Sequence, residues 1–559
     1  MIQIFLLGFI FVNFASSELT VKTSKGVLKG EVLISRNGRE FDSFMSIPYA
    51  KPPVGELRFK APVPVDPWSG VLDATKEPTP CIQEPAGFNT SENCLFLNVY
   101  TPHTDKTNLP VMVYIHGGAF LSGHSGPTYA GAKYFMDKDV VLVTTNYRVG
   151  ILGFITFEDD RLPGNQGLKD QALALKWVKE NIRYFNGDPG KVTLFGQSAG
   201  SASVGLHLLS PMSKGLFHRA ILESGSPLAL WAVAPPGFGR KKGEHFAKLA
   251  GCHSNNTASM MKCLQNISDE KIVEIQRSLV IWRNHPLIYA TPTVENCDAG
   301  QKAFICEHPL RKFKVESDVP IIVGSNTGEG GIIVASLYNK TDLLFPELDQ
   351  NFTNLIAMMT FYEDYSTLPS IKEIGIKLLK EYFPSGRISG ATHLNSVKLF
   401  TDAIFTYAIM DLAHKWTSPA YVYLYNYQNE FSFNTRWGSC EIPLGVSHND
   451  ELTSLFNMGN NAPDLNPADT AVSKIVIDIW TQFATTGNPT INGKENGSEW
   501  PKYDPTKDSI ILNISSVTPE LVEDPFKNMY VFWKSLPLLS KFNGNNELSK
   551  AIEKNNSLF

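Results

Sequence analysis

The sequence predicts an α/β fold with a large, mostly parallel central sheet flanked by helices. Two observations favour this class: apolar runs of strand length that suit strands buried on both faces, and a helical apolar periodicity between two of those runs. A third observation concerns how the chain is divided into domains. No Pro/Gly/Ser-rich linker divides the chain, so residues 18–559 are expected to form one domain with insertions, the largest at about 230–420.

The elements follow in chain order. The predicted strands are Val111–Ile115, Val140–Val143, Lys191–Phe195, Ile321–Val323 and Tyr421–Tyr425. A helix is predicted between the second and third strands, because apolar residues recur there at intervals of three and four: Leu168, Ala172, Leu175, Val178 and Ile182. The turn residues Asn186–Gly190 are expected to end it.

Composition excludes several classes of protein. Lys and Arg number 50 against 55 Asp and Glu, a net charge of −5, so the chain lacks the basic excess of a nucleic-acid binder. With 43% hydrophobic and 19% charged residues, it is neither disordered nor fibrous.

Residues 1–17 are predicted to be a signal peptide. Ile4–Val12 is an unbroken apolar run, too short for a bilayer span of about 20 residues, and Ala15 and Ser17 provide the small residues of a cleavage site. No Lys or Arg precedes the run, and the alternative is a buried amino-terminal strand. No other segment is apolar enough for a membrane anchor, so the mature chain is expected to be exported.

Cysteines and glycosylation motifs fit export. Six of the seven cysteines form close pairs (81/94, 252/263 and 297/306), which suit disulfides that close surface loops, whereas Cys440 lacks a near neighbour. Acceptor triplets for N-glycosylation begin at Asn89, Asn255, Asn266, Asn339, Asn351, Asn496, Asn513 and Asn555.

Two glycine-rich segments indicate acyl-transfer chemistry. Ser198 is the centre of GQSAG, between a predicted strand and the helix-forming Ser201–Leu209, which is the pattern of a nucleophile elbow rather than of a plain turn. His116–Phe120 (HGGAF) follows another strand and suits a loop whose backbone N–H groups stabilise an oxyanion. The candidate donors are Gly118, Ala119 and Ala199, and Gly117 is an alternative to one of them.

A general base and an acid should follow the serine in the sequence. Of the histidines well past Ser198, His414 falls in a helical run and His393 in a polar turn, whereas His448 lies in a loop before an apolar helix start, which favours His448. Glu329 is the candidate acid, because it follows a strand and is flanked by glycines, which would let its carboxylate turn inward; a solvated loop glutamate is the alternative.

Together these residues resemble the type-B carboxylesterase/cholinesterase family of the α/β-hydrolase fold. Further matching segments are Tyr49–Pro53, Leu57–Phe59, Glu92–Val99 (with Asn93 where Asp is usual), Asn146–Arg148 and Glu223–Pro227. The resemblance implies a catalytic triad of Ser198, Glu329 and His448. It also implies disulfides Cys81–Cys94 and Cys252–Cys263, and Trp231 in the acyl pocket.

Within that family, the chain is similar to secreted insect esterases. Asp170–Gln171, Gln197, Glu329 and the GxxHxxE segment Gly445–Glu451 match the pattern of juvenile hormone esterases, most of which general insect esterases share. Cholinesterase activity is disfavoured, because Gln197 replaces a carboxylate and the loop between Cys81 and Cys94 holds no Trp to face a quaternary ammonium.

The implied function is that of a secreted serine carboxylesterase acting through an acyl-enzyme, with the methyl ester of juvenile hormone as a candidate substrate. The alternatives are a generalist detoxifying or odorant-ester carboxylesterase, and a non-catalytic adhesion or binding protein on the same fold. The expected partner is a small hydrophobic ester, and the chemistry needs no metal or cofactor.

Overall fold

The computed structural model describes residues 18–84, 89–283, 285–297, 303–339, 342–437, 442–507 and 509–543. The predicted signal peptide at 1–17, Cys440 and Asn555 lie outside the described residues. The strands are β1 Thr20–Lys22, β2 Val27–Lys29, β3 Glu31–Ile34, β4 Glu40–Pro48, β5 Val71–Asp73, β6 Phe96–Pro102, β7 Leu109–Ile115, β8 Val141–Thr145, β9 Gly187–Gln197, β10 Arg219–Glu223, β11 Ile321–Asn326, β12 Tyr338–Asn339, β13 Asp342–Leu343, β14 Ala420–Tyr425, β15 Ile510–Ile514 and β16 Glu520–Glu523.

The helices lie before, between and after these strands. They are α1 Pro127–Ala130, α2 Gly150–Phe154, α3 Gln166–Asn181, α4 Ala199–Leu209, α5 Phe238–Leu249, α6 Thr257–Leu264, α7 Asp269–Ser278, α8 Gly331–Leu337, α9 Leu344–Gln350, α10 Phe352–Met359, α11 Leu368–Tyr382, α12 His393–Phe400, α13 Tyr407–Lys415, α14 Asn434–Trp437, α15 Leu452–Leu455, α16 Pro467–Thr486, α17 Lys527–Lys534 and α18 Ser540–Asn543. A π-helical segment, Thr401–Thr406, joins α12 to α13.

The central sheet confirms the predicted α/β class. Eleven of the described strands form it, in the order β16-β15-β14-β11-β10-β9-β7-β8-β6-β4-β3. The seven strands from β15 to β8 run parallel to one another, and antiparallel strands flank them at both edges. Parallel strands place their carboxyl ends at one edge of the sheet, where α/β proteins bind their ligands.

Both faces of the sheet are covered. Along β7, Val111, Val113 and Ile115 belong to the core that includes residues of α3 and α4, whereas Met112 and Tyr114 belong to the core that includes residues of α16. Such alternation follows from the two-residue period of a strand. It explains why the sequence of β7 is a continuous apolar run.

Three disulfides close short loops: Cys81–Cys94, Cys252–Cys263 and Cys297–Cys306. The first two agree with the family resemblance, and the third agrees with the spacing of its cysteines. Within the described residues, no helix has the length and apolar character needed to cross a bilayer.

Two local predictions differ from the structure. Of the predicted turn Asn186–Gly190, only Asn186 lies in a turn, with a φ of 65°. The strand β9 already begins at Gly187, because Leu109 of β7 pairs with it. His393, predicted in a polar turn, is the first residue of α12.

Candidate active site

The candidate nucleophile lies on a sharp turn between β9 and α4. Ser198 has a φ of 59° and a ψ of −124°, which are unusual for a residue with a side chain and show that the elbow is strained. Glycine is required on both sides: a Cβ at Gly196 would lie 2.6 Å from the Ile115 carbonyl oxygen, and one at Gly200 would lie 2.1 Å from the same atom. The Ser198 N–H donates to the Glu223 carbonyl (2.9 Å), which ties the elbow to β10.

The candidate oxyanion loop follows β7 and lies directly against this serine. A Cβ added at Gly117 would be 3.0 Å from the Cβ of Ser198. Gly118, Ala119 and Phe120 all have positive φ (107°, 58° and 60°), so the chain turns sharply here. Among the described residues, no acceptor pairs with the N–H groups of Gly118, Ala119 and Ala199. These three N–H groups therefore remain free for a substrate oxygen.

The side chain of His116 helps to fix this loop in place. His116 is buried, and its ring stacks on Tyr147 with ring centroids 4.3 Å apart. Its Nδ1 lies 2.8 Å from the Gly117 carbonyl oxygen, and the Tyr147 hydroxyl donates to the His116 carbonyl (2.8 Å). Burial lowers the pKa of His116 to about 3, so the ring is neutral at pH 7 and acts as a fixed support.

His448 and Glu329 lie together beside the elbow. The Nδ1 atom of His448 is 2.6 Å from Oε2 of Glu329, and the side chains are 3% and 0% exposed. The other carboxylate oxygen accepts the Asn326 N–H (2.7 Å), so Glu329 is fixed at both oxygens. On the opposite side of the imidazole, Nε2 lies 3.4 Å from Nε2 of Gln197, the residue before Ser198.

The structure thus brings the elbow, His448 and Glu329 to one place. The Ser198 hydroxyl makes no hydrogen bond to the described residues, and in empty active sites such contacts often tighten only when substrate binds. His393 and His414 are engaged elsewhere: His393 contacts the Gly390 carbonyl, and His414 stacks on Tyr530 with centroids 3.9 Å apart.

The glycines beside Glu329 have a different purpose from the one the sequence suggested. We expected them to let the carboxylate turn inward, but neither has a positive φ. A Cβ at Gly328 would lie 2.7 Å from the Leu444 carbonyl oxygen, and one at Gly330 would lie 2.2 Å from that of Val397. They are needed because the loop that carries Glu329 packs closely against two neighbouring backbones.

Sequence reasoning did not anticipate a buried polar network around His448. The carboxylate of Glu451 accepts hydrogen bonds from Ser224 (3.2 Å) and from the Asn326 side chain, which also donates to the Ser447 carbonyl (2.7 Å). Burial, and secondarily the charge of Glu329, raise the pKa of Glu451 to about 7. The GxxHxxE pattern contained Glu451, but nothing in it indicated these contacts.

Asp450 extends this network. Its carboxylate accepts the N–H groups of Ser447 (2.8 Å) and Phe433 (2.7 Å), so it fixes the turn that carries His448. Burial is the main reason why the pKa of Asp450 is raised to about 7. No motif indicated this residue, and the only sequence signal is an Asp three residues after a Ser in a loop.

Aromatic side chains line one side of the site. Trp231 is buried, with its ring centroid 6.3 Å from that of Phe120 and 6.4 Å from that of Phe405. Phe405 in turn lies 4.6 Å from the His448 ring. The Trp231 indole N–H donates to the Ile404 carbonyl (2.8 Å), so its polar edge is satisfied and its apolar surface is available for packing.

A model of the carboxylesterase family matches residues 17–533. The chain belongs to this family. It is 36% identical over 565 residues to the juvenile hormone esterase of Tribolium castaneum, a match that covers 95% of each chain. It is also 36% identical to esterase FE4 of Myzus persicae, over 86% of each chain.

A solved structure agrees with the family assignment. The crystal structure of juvenile hormone esterase from Manduca sexta, with OTFP covalently attached, is similar with a TM-score of 0.81 and 26% identity, over 93% of this chain and 99% of that one. This carboxylesterase therefore has the α/β-hydrolase fold and is a carboxylic ester hydrolase, as the sequence resemblance implied.

Proposed function

We propose that this carboxylesterase is a secreted serine esterase with Ser198 as nucleophile, His448 as general base and Glu329 as the acid. One observation carries the assignment. The imidazole of His448 bridges the two halves of the site, with Nδ1 on the Glu329 carboxylate and Nε2 beside the elbow. Glu329 fixes the Nδ1–H tautomer, which leaves Nε2 free to accept a proton.

The proposed reaction has two steps. In the first, His448 takes the Ser198 proton while the oxygen attacks the ester carbonyl, and then gives it to the leaving alcohol, so an acyl-serine and an alcohol result. In the second, His448 activates water, which releases the acid and returns the proton to Ser198. The N–H groups of Gly118, Ala119 and Ala199 hold the oxyanion in both steps.

We further propose juvenile hormone, a methyl ester with a long apolar acyl chain, as the substrate. Two named relatives are juvenile hormone esterases. The aromatic wall of Trp231, Phe120 and Phe405 offers apolar surface to an acyl chain. The neutral Gln197 places no charge beside the nucleophile, which suits an uncharged ester.

Steady-state kinetics test both parts of the proposal. Ser198→Ala should remove hydrolysis of juvenile hormone and of a short naphthyl ester, whereas Ser201→Ala, whose hydroxyl only donates to the Gly225 carbonyl, should keep both. Wild-type rates in Ser198→Ala would refute the assignment of Ser198 as the nucleophile. A sub-micromolar KM for the hormone is expected. A millimolar KM together with efficient cleavage of short esters would instead support the generalist esterase.

Export is the remaining part of the proposal, and the three disulfides support it because such bonds persist in oxidising compartments. Expression of the full chain in insect cells should deliver active protein to the medium, with an amino terminus that begins at Glu18. Retention of the intact chain inside the cells would contradict export.

A further inference from the structure

Gln83 lies in the loop that the Cys81–Cys94 disulfide closes, and its side chain makes an unusual pairing. It is buried (4% exposed), and its carboxamide bonds to both main-chain polar groups of Gly123. The Gly123 N–H donates to Oε1 (2.7 Å), and Nε2 donates to the Gly123 carbonyl (2.8 Å) and to that of Cys81 (3.1 Å). Two antiparallel hydrogen bonds fix the position and the orientation of the Gly123 backbone.

Gly123 in turn lies directly against the oxyanion loop. Its φ is 110°, and a Cβ at this position would lie 2.3 Å from Nδ1 of His116 and 2.7 Å from the Gly117 carbonyl oxygen. That carbonyl belongs to the same planar peptide as the N–H of Gly118, one of the proposed oxyanion donors. The peptide is therefore confined on its carbonyl side, by the imidazole of His116 and by the backbone of Gly123.

The two ends of the loop that carries Gln83 are anchored. Cys81 and Cys94 are both buried, and the Asn146 side chain donates to the carbonyls of Thr79 and Cys94 (3.0 Å each). The Asn146 oxygen accepts the N–H of Ser125, which lies two residues after Gly123. Asn146 therefore fixes both the ends of the disulfide loop and the segment after the oxyanion loop. The backbone next to Gln83 is held in a fixed position as a result.

We propose that Gln83 is a positioning residue of the oxyanion hole: by pairing with Gly123, it holds the Gly117–Gly118 peptide so that the Gly118 N–H faces the reacting oxygen. The inference rests on the proposed function. Gln83 does not touch the substrate in this account. It contributes when charge develops on the carbonyl oxygen, since only an oriented donor stabilises that charge better than water does.

The test compares Gln83→Met with Gln166→Met, a matched control. Gln166 is also a buried amide bonded to a backbone carbonyl (Phe59, 2.7 Å), but it lies at the start of α3. Active sites are counted with a fluorophosphonate, so that only folded enzyme is compared. The readouts are kcat and KM for a short aryl ester, and the inhibition constant of an alkyl trifluoromethyl ketone, whose serine adduct carries an oxyanion.

Gln83→Met should lower kcat per active site about tenfold. This loss is smaller than the roughly 10²–10³-fold loss that follows removal of a whole donor, because the Gly118 N–H is still present but less well oriented. The substitution should weaken ketone binding by a similar factor and leave KM within about twofold, because the ground state needs the donor less. Gln166→Met should change none of the three. Unchanged kcat and ketone affinity in Gln83→Met, or equal losses in both variants, would overturn the proposal.

A second variant covers the case in which Gln83→Met fails to fold. Gln83→Glu keeps the shape and the acceptor for the Gly123 N–H but loses the donor to the Gly123 carbonyl, so kcat and ketone affinity should fall together here too. Wild-type values for both would also overturn the proposal. Failure of the proposed function is a separate result: Ser198→Ala would then remain active, whatever the Gln83 variants do.

Discussion

The two halves of the site are built in different ways. The nucleophile side, residues 116–126 and 196–200, is made of main chain in close contact: a Cβ at Gly200 would lie 2.1 Å from the Ile115 carbonyl oxygen, and Gly117 lies against Ser198. The base side, residues 326–330 and 445–451, also has close backbone contacts at Gly328 and Gly330, but hydrogen bonds of side chains organise it, above all the Glu329–His448 pair and the bonds to the carboxylates of Asp450 and Glu451.

Substitutions on the two sides of the site should therefore have different effects on the fold and on the chemistry. Extra atoms on the nucleophile side have no room, so substitutions there should strain the fold and the site together. On the base side, isosteric changes keep the packing and alter only charge and hydrogen bonds, so they should alter the chemistry while the fold persists. The following four substitutions test this contrast.

Glu329→Gln should have the largest effect on rate. A neutral amide can donate to Nδ1 of His448 and so favour the wrong tautomer, and kcat should fall by about 10⁴. Circular dichroism and the thermal midpoint should stay close to wild type. The control is Glu295→Gln, another buried glutamate, which pairs with Lys169 (2.5 Å) away from the site. Glu295→Gln should lower the thermal midpoint but keep the wild-type kcat. A wild-type kcat in Glu329→Gln together with a loss of kcat in Glu295→Gln would contradict the assignment of Glu329 as the acid.

Gly200→Ala should damage both fold and rate. The methyl group would meet the carbonyl oxygens of Ile115 (2.1 Å) and His116 (2.8 Å), and overpacking of this kind costs about 1–3 kcal/mol. Displacement of Ser198 and the Ala199 N–H should lower kcat about 100-fold. Urea unfolding and active-site titration measure the two losses. Gly190→Ala, where the nearest atom is the Asp188 side chain at 3.1 Å, serves as the control and should be close to wild type. A stable, fully active Gly200→Ala enzyme would refute the packing argument.

Gln197→Glu introduces a charge where the two halves meet. A carboxylate at this position, where the amide nitrogen now lies 3.4 Å from Nε2 of His448, favours the protonated imidazole, which cannot act as a base. The acid limb of the kcat/KM profile should move to higher pH by about one unit, so the rate on that limb falls by up to about tenfold and recovers at higher pH. An unshifted limb would show that Gln197 is not beside the base in solution.

Glu451→Gln should have the smallest effect, on the pH dependence of stability. Because the folded-state pKa of Glu451 is raised to about 7, the folded protein binds this proton more tightly than the unfolded chain. The stability that Glu451 contributes is therefore present at low pH and falls as pH rises from about 4.5 to 7. Urea midpoints at pH 5, 6 and 7 should decline less in Glu451→Gln than in wild type. An identical decline would mean that Glu451 does not titrate in this range.

The contrast between the nucleophile side and the base side also explains which residues of the site could be predicted from the sequence. The nucleophile side is encoded in consecutive residues, so the local patterns GQSAG and HGGAF were enough to propose Ser198 as the nucleophile and residues 116–120 as the oxyanion loop. Glu329 and His448 lie 119 residues apart, and the residues alone left Glu329 open as a solvated loop glutamate. Their positions in loops made His448 the favoured base and Glu329 the candidate acid, and the family resemblance implied the same pair.

The sequence did not predict the hydrogen bonds that side chains make to distant residues. Nothing in the sequence pairs Gln83 with Gly123 or Asn326 with Glu451, because such hydrogen bonds depend on how loops that are distant in the sequence pack against one another. The core strands were predictable because burial on both faces gives them continuous apolar runs. The start of β9 was not, since pairing with β7 extends the strand into residues that otherwise favour a turn.

The most direct test of the central claim is to find the acyl group during turnover. The enzyme is mixed with an aryl acetate, quenched in acid within the burst phase, digested and analysed by mass spectrometry. The account predicts one acetyl group, on Ser198, in wild type and in Ser201→Ala, and none in Ser198→Ala. An acetyl group on another residue, or undiminished turnover in Ser198→Ala, would contradict it.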